Sequence, residues 1–343
     1  MINIYINGFG RIGRSIFKSI KDEKNISIVG INDTNPDIEN ICYQLNYDST
    51  YGCLKKKFYK ISNNQISDGI LKIKVLNKQV LKPNELNNAD ILIESNGLDR
   101  NSKYIKSLKG KVKHIIFTNI QSKIKTKYVL PGINHDQLTK SDFLISSGTC
   151  DGNAVVPFLK LIDKKYNIKY GNITTLHPWL SYQNLLDGPA TSVSDPKNIY
   201  STYVLGRSTL NNIIPKSTSV VTVASKILRG INKKISSMSF RVPTSIISCA
   251  KLNLVLKKNT NTKQIISIIN SFNKNQNFNL IKNYNEPLTS IDFLNSRYSC
   301  NNDIRFLNVN KNFLNALIWY DNENGYTSRV IDLIKILKKI SKK

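Results

Sequence analysis

Residues 2–13 read INIYINGFGRIG, and this stretch decides the fold of the N-terminal half of the chain. Its first five residues are mostly apolar and predict a buried strand. The glycines Gly8, Gly10 and Gly13 follow at once, and Arg14–Ile20 has the apolar spacing of a helix. A GxGxxG pattern between a strand and a helix is typical of a dinucleotide-binding Rossmann fold. Gly8 would make the tight turn, Gly10 would let a pyrophosphate approach the backbone, and Gly13 would let the helix pack closely.

A second predicted strand, Ile26–Ile31, is followed by Asn32 and Asp33. Asp33 lies twenty residues after Gly13, where an acidic side chain is expected to bind a ribose hydroxyl of the dinucleotide. A carboxylate at this position repels the 2′-phosphate of NADP. The sequence therefore predicts NAD as the cofactor.

The rest of the chain predicts two kinds of sheet. Three more strands are predicted in the first half, at Ile70–Leu76, Ile91–Ser95 and Lys113–Thr118. Longer alternating strands are predicted in the second half, at Ile173–Leu176, Ser237–Pro243 and Ile246–Leu256. The predicted fold class is α/β, with an N-terminal Rossmann domain over residues 1–150 followed by an α+β domain with a mainly antiparallel sheet.

Residues 144–157, LISSGTCDGNAVVP, predict a strand, a turn and then a helix from Ala154 onward, with Asp151 and Asn153 as capping residues. Cys150 lies in the turn. N–H groups at the start of a helix stabilise a thiolate, so we expect the pKa of Cys150 to be lowered. The alternative is a buried, unreactive cysteine, which is the commoner situation for a lone cysteine.

The chain has three histidines, His114, His135 and His177. His114 lies among lysines at the start of a predicted strand, and His135 lies in a loop. His177 ends the predicted strand Ile173–Leu176. An isolated histidine at a strand end is more often structural, but beside an NAD site and a reactive cysteine His177 becomes a candidate catalytic base.

The net charge of +27 comes from 50 basic and 23 acidic residues, and only nine of the basic residues are arginines. The lysines are scattered, whereas nucleic-acid-binding surfaces more often have clustered arginines with aromatic residues between them. We interpret the charge chiefly as compositional bias. The alternative is a non-specific affinity for polyanions at low salt.

Cysteine usage and hydropathy predict a cytoplasmic protein. The five cysteines are widely spaced and include no CxxC pair, which suits a reducing compartment better than disulfides or a metal site. The N-terminus has no cationic segment that leads into a long apolar core, so no signal peptide is predicted. No run reaches about 18 apolar residues, so no transmembrane helix is predicted.

Seven motifs occur in a particular order along the chain. They are NGFGRIG (7–13), NYDSTYG (46–52), the single cysteine Cys150, His177 before DGP (187–189), GR…NIIP (206–215), FRVPT (240–244) and WYDNENGY (319–326). This order resembles that of the glyceraldehyde-3-phosphate dehydrogenase family, which includes erythrose-4-phosphate dehydrogenases, and the resemblance covers essentially the whole chain. It implies a homotetramer whose subunits have an NAD-binding domain (1–150), a catalytic domain (151–321) and a C-terminal helix (322–343) that returns to the first domain.

The resemblance also implies roles for individual residues. Cys150 matches the nucleophile and His177 matches the base that holds it as a thiolate. The candidate cofactor-binding residues are Gly8, Gly10, Arg11, Ile12, Gly13, Asp33, Thr118, Asn322 and Tyr326, among which Asn322 fixes the nicotinamide amide. The candidate substrate-binding residues are Thr149, Asp151, Thr218, Ser219 and Arg241, among which Arg241 binds the substrate phosphate. The implied reaction is attack on an aldehyde, hydride transfer to NAD and cleavage of a thioester.

Some positions depart from the family pattern. Asp151 replaces a threonine that helps to bind inorganic phosphate, Ser219 replaces a glycine, and Leu180 replaces a second phosphate-binding threonine. An ionised Asp151 at about 5 Å from a phosphate would cost of order 3 kcal/mol per unit charge at an effective dielectric constant near 20. The loop Ala190–Asn211 also looks longer than usual. The alternative interpretation is family drift with compensating contacts.

Three functions remain open from the sequence. The first is a phosphorylating glyceraldehyde-3-phosphate dehydrogenase of glycolysis. The second is a specialised relative that oxidises another aldehyde and releases the acid by hydrolysis, which is the chemistry associated with erythrose-4-phosphate dehydrogenases. The third, suggested only by the charge, is a non-enzymatic polyanion- or RNA-binding protein.

Overall fold

The computed structural model describes residues 1–191 and 199–342 and divides the chain into two compact units. The first unit contains Met1–Val129, His135–Gly148 and the chain from Val330 onward, and the second contains Leu130–Asn134 and Thr149–Arg329. Residues 192–198, part of the loop Ala190–Asn211, lie outside the described residues, and so does that part of the prediction of a longer loop.

A nine-stranded sheet forms the centre of the first unit. Its strands are β1 (Ile2–Asn7), β2 (Ile26–Asn32), β3 (Tyr59–Ser62), β4 (Gln65–Ser67), β5 (Lys72–Leu76), β6 (Ile91–Glu94), β7 (His114–Phe117), β8 (Lys127–Tyr128) and β9 (Leu144–Ser146). Their order is β3-β4-β5-β2-β1-β6-β7-β9-β8, and all pairs from β5 to β8 are parallel. The chain goes from β1 outward in one direction to β2 and later in the other direction to β6. In such sheets ligands bind beyond the carboxyl ends of the strands at this switch point.

Three helices accompany this sheet: α1 (Arg11–Ile20), α2 (Ile38–Asn46) and α3 (Ser102–Leu108). Helix α1 buries Ile16, Phe17 and Ile20, which recur at helical spacing on one face. The start of α2 is capped by Asp37, and the start of α3 by Asn101. The start of α1 has no side-chain cap.

The second unit is built on a seven-stranded sheet. Its strands are β10 (Ile168–Pro178), β11 (Ile214–Lys216), β12 (Ile235–Val242), β13 (Ser248–Leu256), β14 (Ile281–Tyr284), β15 (Cys300–Asn310) and β16 (Phe313–Tyr320). Their order is β11-β12-β10-β13-β16-β15-β14, and the pairs are antiparallel except for β10–β12 and β14–β15. The predicted fold class, a parallel Rossmann-type sheet followed by a mainly antiparallel one, is confirmed.

One face of the second sheet packs on helices. They are α4 (Cys150–Tyr166), α5 (Val220–Ile227) and α6 (Thr262–Lys274), and the last helix of the chain is α7 (Asn324–Lys342). Burial alternates along β13, so that Leu252 and Leu254 join Phe158 of α4 in one apolar core. Helix α7 begins in the second unit, and from Val330 onward its residues belong to the first.

The structure corrects several predicted boundaries. Helix α1 begins at Arg11 rather than Arg14, because Gly10 already accepts the hydrogen bond from the Arg14 N–H at 2.9 Å. Helix α4 begins at Cys150 rather than Ala154. Strand β5 begins after a turn in which the Asp68 carboxylate accepts from two N–H groups, and it therefore excludes residues 70 and 71.

Candidate active site

Two of the three glycines of the GxGxxG pattern are required by packing within the chain. Gly8 has φ +99°, and a Cβ on it would lie 2.4 Å from the backbone nitrogen of Asn96. A Cβ on Gly13 would lie 2.1 Å from the carbonyl oxygen of Gly8. At Gly10, by contrast, a Cβ would meet no atom of the chain within 4 Å. The open space at Gly10 fits a ligand that approaches the backbone there.

The first turn of α1 offers a place for an anion. Gly10 occupies the cap position without a side-chain hydrogen bond, and Arg11 and Ile12 are the first two helical residues. Helix N-termini attract anions because their N–H groups and the helix dipole carry partial positive charge. The Arg11 guanidinium adds a cation here, 3.7 Å from the Asp48 carboxylate.

Asp33 and Thr118 lie at the carboxyl ends of strands in the same sheet. Asp33 directly follows β2, and its Oδ2 accepts a hydrogen bond from the N–H of Phe9, between the two glycines of the turn, at 2.7 Å. Thr118 follows β7 and donates from Oγ1 to the carbonyl oxygen of Glu94 at 3.1 Å. The structure thus places the predicted cofactor-binding residues of the first unit at one edge of its sheet.

A buried carboxylate that the sequence reasoning missed holds this edge together. Glu94, at the end of β6, is 2 % exposed, and its Oε2 accepts from Nη2 of Arg100 at 2.9 Å. Its Oε1 accepts from Nδ2 of Asn7 at 3.0 Å and from the hydroxyl of Tyr104 at 2.7 Å. The Asn7 amide oxygen in turn accepts from Nδ2 of Asn32 at 2.8 Å. The network links the ends of β1, β2 and β6.

Cys150 is the first residue of α4, and Thr149 is the cap. The Thr149 hydroxyl accepts from the N–H of Gly152 at 3.3 Å. The prediction that Asp151 and Asn153 cap a helix starting at Ala154 is therefore wrong.

Burial and, next, the neighbouring Asp151 raise the pKa of the Cys150 thiol to about 12, although Arg241 and the N–H groups of the helix start oppose them. The expected lowering of this pKa is also wrong, because desolvation outweighs the helix terminus.

His177 lies near the end of β10 with both ring nitrogens beside hydroxyl groups. Nδ1 is 3.2 Å from Oγ of Ser248, and Nε2 is 3.3 Å from the hydroxyl oxygen of Tyr320. Burial lowers the pKa of His177 to about 4, against the opposing effect of Asp151, so the imidazole is neutral at pH 7. Within residues 1–191 and 199–342, no hydrogen bond joins His177 to Cys150.

Arg241 is the neighbour of His177 in the sheet. The parallel pairing of β10 with β12 sets these two residues side by side. Arg241 is 8 % exposed and donates from Nη1 to the carbonyl oxygen of Pro178 at 2.9 Å. Its Nε has no partner among the residues that the structure describes. A buried guanidinium with an unused N–H group is suited to an incoming anion.

Four of the five predicted substrate-binding residues meet at Asp151, which is 3 % exposed. Its Oδ1 accepts from the Thr149 hydroxyl and from the N–H of Gly152, the latter at 2.8 Å. Its Oδ2 accepts from the Thr218 hydroxyl at 2.5 Å. Ser219 joins the group by donating to the Thr149 hydroxyl oxygen at 3.4 Å. The carboxylate therefore already binds the hydroxyls that are expected to hold a phosphate.

Asn322 and Tyr326 follow β16 in the second unit. The Asn322 Oδ1 is buried and has no hydrogen-bond partner in the described part of the chain, and Tyr326 is buried in α7. An unsatisfied amide oxygen is costly unless a ligand supplies the donor. The N–H₂ group of a nicotinamide amide is such a donor, so Asn322 and the open Gly10 both fit NAD.

Comparison with known families decides between the possible dinucleotide enzymes. The family model described as "Glyceraldehyde 3-phosphate dehydrogenase, NAD binding domain" matches residues 2–102, and the model described as "Glyceraldehyde 3-phosphate dehydrogenase, C-terminal domain" matches residues 149–322. The chain belongs to the glyceraldehyde 3-phosphate dehydrogenase family. As a member of this family, it is an NAD-dependent oxidoreductase.

Curated glyceraldehyde-3-phosphate dehydrogenases match the chain along almost its whole length. The protein of Buchnera aphidicola subsp. Schizaphis graminum is 33 % identical over an alignment of 343 positions that covers 98 % of each chain. Glyceraldehyde-3-phosphate dehydrogenase 1 of Trichormus variabilis is 33 % identical, covering 97 % of this chain and 96 % of its own. The cytosolic enzyme of Chlamydomonas reinhardtii is 32 % identical, covering 100 % and 98 %.

Two other kinds of feature are absent from the residues that the structure describes. None of the helices within 1–191 and 199–342 has the length and apolar character needed to cross a membrane. In the same residues, no group of three or more His, Cys, Asp or Glu side chains is arranged to hold a metal ion.

Proposed function

We propose that this protein oxidises a phosphorylated aldehyde, glyceraldehyde 3-phosphate foremost, with NAD as the hydride acceptor, as in glycolysis. The observation that carries the proposal is the position of Cys150 at the first residue of α4, in the same unit as a neutral His177 and a buried Arg241 that acts on its pKa. Arg241 would bind the phosphate of the substrate. The names of the curated relatives support the same substrate.

The residues suggest how the thiol reacts. Because Cys150 has its pKa raised to about 12 and His177 has its pKa lowered to about 4, both are neutral at pH 7 before substrate binds. His177 would take the thiol proton while Sγ bonds to the aldehyde carbon, and would pass that proton to the carbonyl oxygen. Bound NAD would accept the hydride from the same carbon. His177 would take the hydroxyl proton as the thioester forms on Cys150.

Cofactor binding and substrate binding would be carried out by different parts of the chain. The NAD-binding domain (1–150) would hold the pyrophosphate at Gly10 to Gly13 and the adenosine ribose at Asp33. The catalytic domain (151–321) would carry the substrate. The C-terminal segment (322–343) would contribute Asn322, whose unpartnered Oδ1 would accept from the nicotinamide amide, and Tyr326 beside it.

The thioester on Cys150 could be cleaved in two ways. One is attack by inorganic phosphate, which releases an acyl phosphate, and the other is attack by water, which releases the acid. The buried Asp151, whose two oxygens accept from the hydroxyls of Thr149 and Thr218, favours attack by water and release of the acid. A phosphate would have to displace this carboxylate or lie beside a like charge.

Steady-state assays test both candidates. The purified protein is incubated with NAD and glyceraldehyde 3-phosphate, erythrose 4-phosphate or an unphosphorylated aldehyde, each with phosphate, with arsenate or with neither. NADH formation from a phosphorylated aldehyde supports the function, and formation from none of them contradicts it. Turnover that persists without phosphate supports hydrolysis, whereas a strict requirement for phosphate or arsenate supports phosphorolysis.

We also propose a homotetramer in the cytoplasm. The second unit exposes several large apolar side chains within 185–191 and 199–213, among them Leu186 (79 % exposed) and Tyr203 (81 % exposed). Exposed apolar patches commonly mark protein interfaces. Light scattering after gel filtration should give a mass of four chains, and the cytosolic relative from Chlamydomonas reinhardtii supports the proposed location. A monomeric mass would contradict the assembly.

A further inference from the structure

The face of the second sheet that carries His177 and Arg241 also carries a lysine that sequence reasoning missed. Lys216 is the last residue of β11, and the pairing with β12 sets it beside Ser239. Ser239 and Arg241 are two residues apart on one strand and therefore point to the same face. Directly paired residues on neighbouring strands also share a face. Lys216 therefore lies on the same face of the sheet as His177 and Arg241, two residues along β12 from the pair that they form.

Lys216 interacts electrostatically with the reacting groups. Burial and the positive charge of Arg241 lower the pKa of Lys216, whereas Asp151 and Cys150 act in the opposite direction. Lys216 is also among the groups that lower the pKa of His177. The lysine thus belongs to the same site as the nucleophile and is not one of the scattered surface lysines.

The positive charge in this site exceeds the negative charge. Across the described residues, 1–191 and 199–342, the Lys216 ammonium makes no ion pair and donates no hydrogen bond. The carboxylate of Asp151 is directed at neutral donors instead, namely two hydroxyls and one N–H group. The buried Nε of Arg241 also lacks a partner in this part of the chain. Two cations face one carboxylate, so the site has both charge and N–H donors left for an anion.

We infer that Lys216 and Arg241 together bind the phosphate dianion of the aldehyde substrate, and that Lys216 determines the preference for phosphorylated over neutral aldehydes. This inference rests on the proposed function. Arginine offers a planar, two-pronged donor to phosphate, and lysine adds a compact point charge. Leu180 has no polar side-chain atom for a phosphate, and Lys216 would supply the missing interaction.

Kinetics with a pair of aldehydes tests the inference. We compare Lys216→Met with Lys251→Met, a partly buried lysine on β13 of the same sheet, whose partner Thr174 lies on the opposite face. Lys216→Met should lower kcat/KM for glyceraldehyde 3-phosphate by about ten- to a hundredfold, mainly through KM, which is the range for a lost hydrogen bond to a charged group. Glyceraldehyde should be affected less than about threefold, and Lys216→Arg should restore most of the loss.

Several kinetic results would overturn the inference. Equal losses on both aldehydes would show that Lys216 acts on the nucleophile and not on the phosphate. The inference also fails if Lys216→Met leaves both values unchanged, or if Lys251→Met gives the same selective loss. If Lys216→Met does not fold, the comparison is made with Lys216→Gln, which keeps a polar side chain of similar length.

Alkylation of Cys150 separates this inference from the proposed function, because it needs no aldehyde. Iodoacetate carries a carboxylate and iodoacetamide does not, so the ratio of their rates at the Cys150 peptide reports the positive charge beside Sγ. Mass spectrometry of that peptide avoids interference from the four other free cysteines. Lys216→Met should lower the ratio by at least about fivefold, and Lys251→Met should not. An unchanged ratio overturns the role of Lys216, whereas a lowered ratio in a protein that oxidises no aldehyde overturns only the proposed function.

Discussion

Between β1 and α1, and again between β9 and α4, only three residues lead from a parallel strand into the N-terminus of a helix, and these two corners are filled differently. Between β1 and α1 the cap residue is Gly10, which is exposed and offers no side chain. Between β9 and α4 the cap is Thr149, and the first turn contains the buried Asp151, which accepts from an N–H of that turn. The first corner is therefore accessible to the anionic group of a ligand, whereas at the second corner the helix N-terminus already interacts with the Asp151 carboxylate.

The difference shows how one backbone arrangement serves two purposes. The positive end of a helix favours an anion, whichever molecule supplies it. At the first corner the cap residue Gly10 has no side chain, so this attraction would be left to the pyrophosphate of NAD. At the second corner the Asp151 carboxylate is the anion that interacts with the helix N-terminus. Its charge also raises the pKa of the neighbouring Cys150.

The largest effect is expected at the second corner from Cys150→Ser. It should lower aldehyde oxidation at least about a thousandfold, because a serine hydroxyl is a far weaker nucleophile at neutral pH. The affinity for NAD, measured by fluorescence titration, should change less than about threefold. Cys53→Ser, at an exposed cysteine, is the control and should remain fully active. Residual activity of Cys150→Ser within tenfold of the parent would refute the role of this residue.

The next largest effect is expected from replacing Asp151, the carboxylate at the second corner. Asp151→Thr should lower the KM for phosphate by about a hundredfold, most clearly at low ionic strength, because a like charge is replaced by a hydroxyl donor. Asp151→Asn removes the charge but keeps the shape and should give a smaller change in the same direction. Both variants should also lower the pKa of Cys150, followed by alkylation against pH. A parent enzyme that saturates at millimolar phosphate and needs it for turnover would contradict the argument.

At the first corner, Gly10→Val should weaken NAD binding by about ten- to fiftyfold without changing the melting temperature of the protein alone. The reason is that the side chain would extend into the space left for the ligand, since no atom of the chain lies within 4 Å of a Cβ at this position. Gly13→Ala is the matched contrast, because its Cβ would overlap the carbonyl oxygen of Gly8 and should lower the melting temperature. Equal losses of thermal stability in the two variants would show that Gly10 is structural.

The smallest effect is expected from Asp33→Asn. The amide keeps an acceptor for the Phe9 N–H but removes the charge that repels a 2′-phosphate. The preference for NAD over NADP, measured as a ratio of kcat/KM values, should narrow by about five- to tenfold. A parent that already prefers NADP would show that this carboxylate does not select the cofactor.

The first corner could be predicted from the sequence because its signals are local. Strand, glycines, helix and Asp33 all fall within about 30 residues, as the dinucleotide-binding pattern requires. The second corner could not. Asp151 accepts a hydrogen bond from Thr218, 67 positions away in the chain, and the cap is the Thr149 hydroxyl rather than the side chains of Asp151 or Asn153.

Lys216 was missed for a similar reason. In the sequence it is one of many lysines, and only the pairing of β11 with β12 places it on the face of Arg241. The pKa of Cys150 could not be foreseen either, because the sequence shows a helix terminus but not the desolvation of the thiol and the Asp151 charge that outweigh it.

The Glu94 network bears on how this chain can diverge from its relatives. Asn32 donates to Asn7, Asn7 donates to Glu94, and Arg100 neutralises the carboxylate at the end. Replacing either partner of the buried ion pair alone leaves a charge without its counterion, which typically costs about 3–5 kcal/mol, whereas replacing both together is often neutral. Exposed asparagines and lysines elsewhere are free to drift singly. The buried residues of the Glu94 network, by contrast, can be replaced only together. Proteins that descend from this chain should therefore either keep all of them or replace all of them.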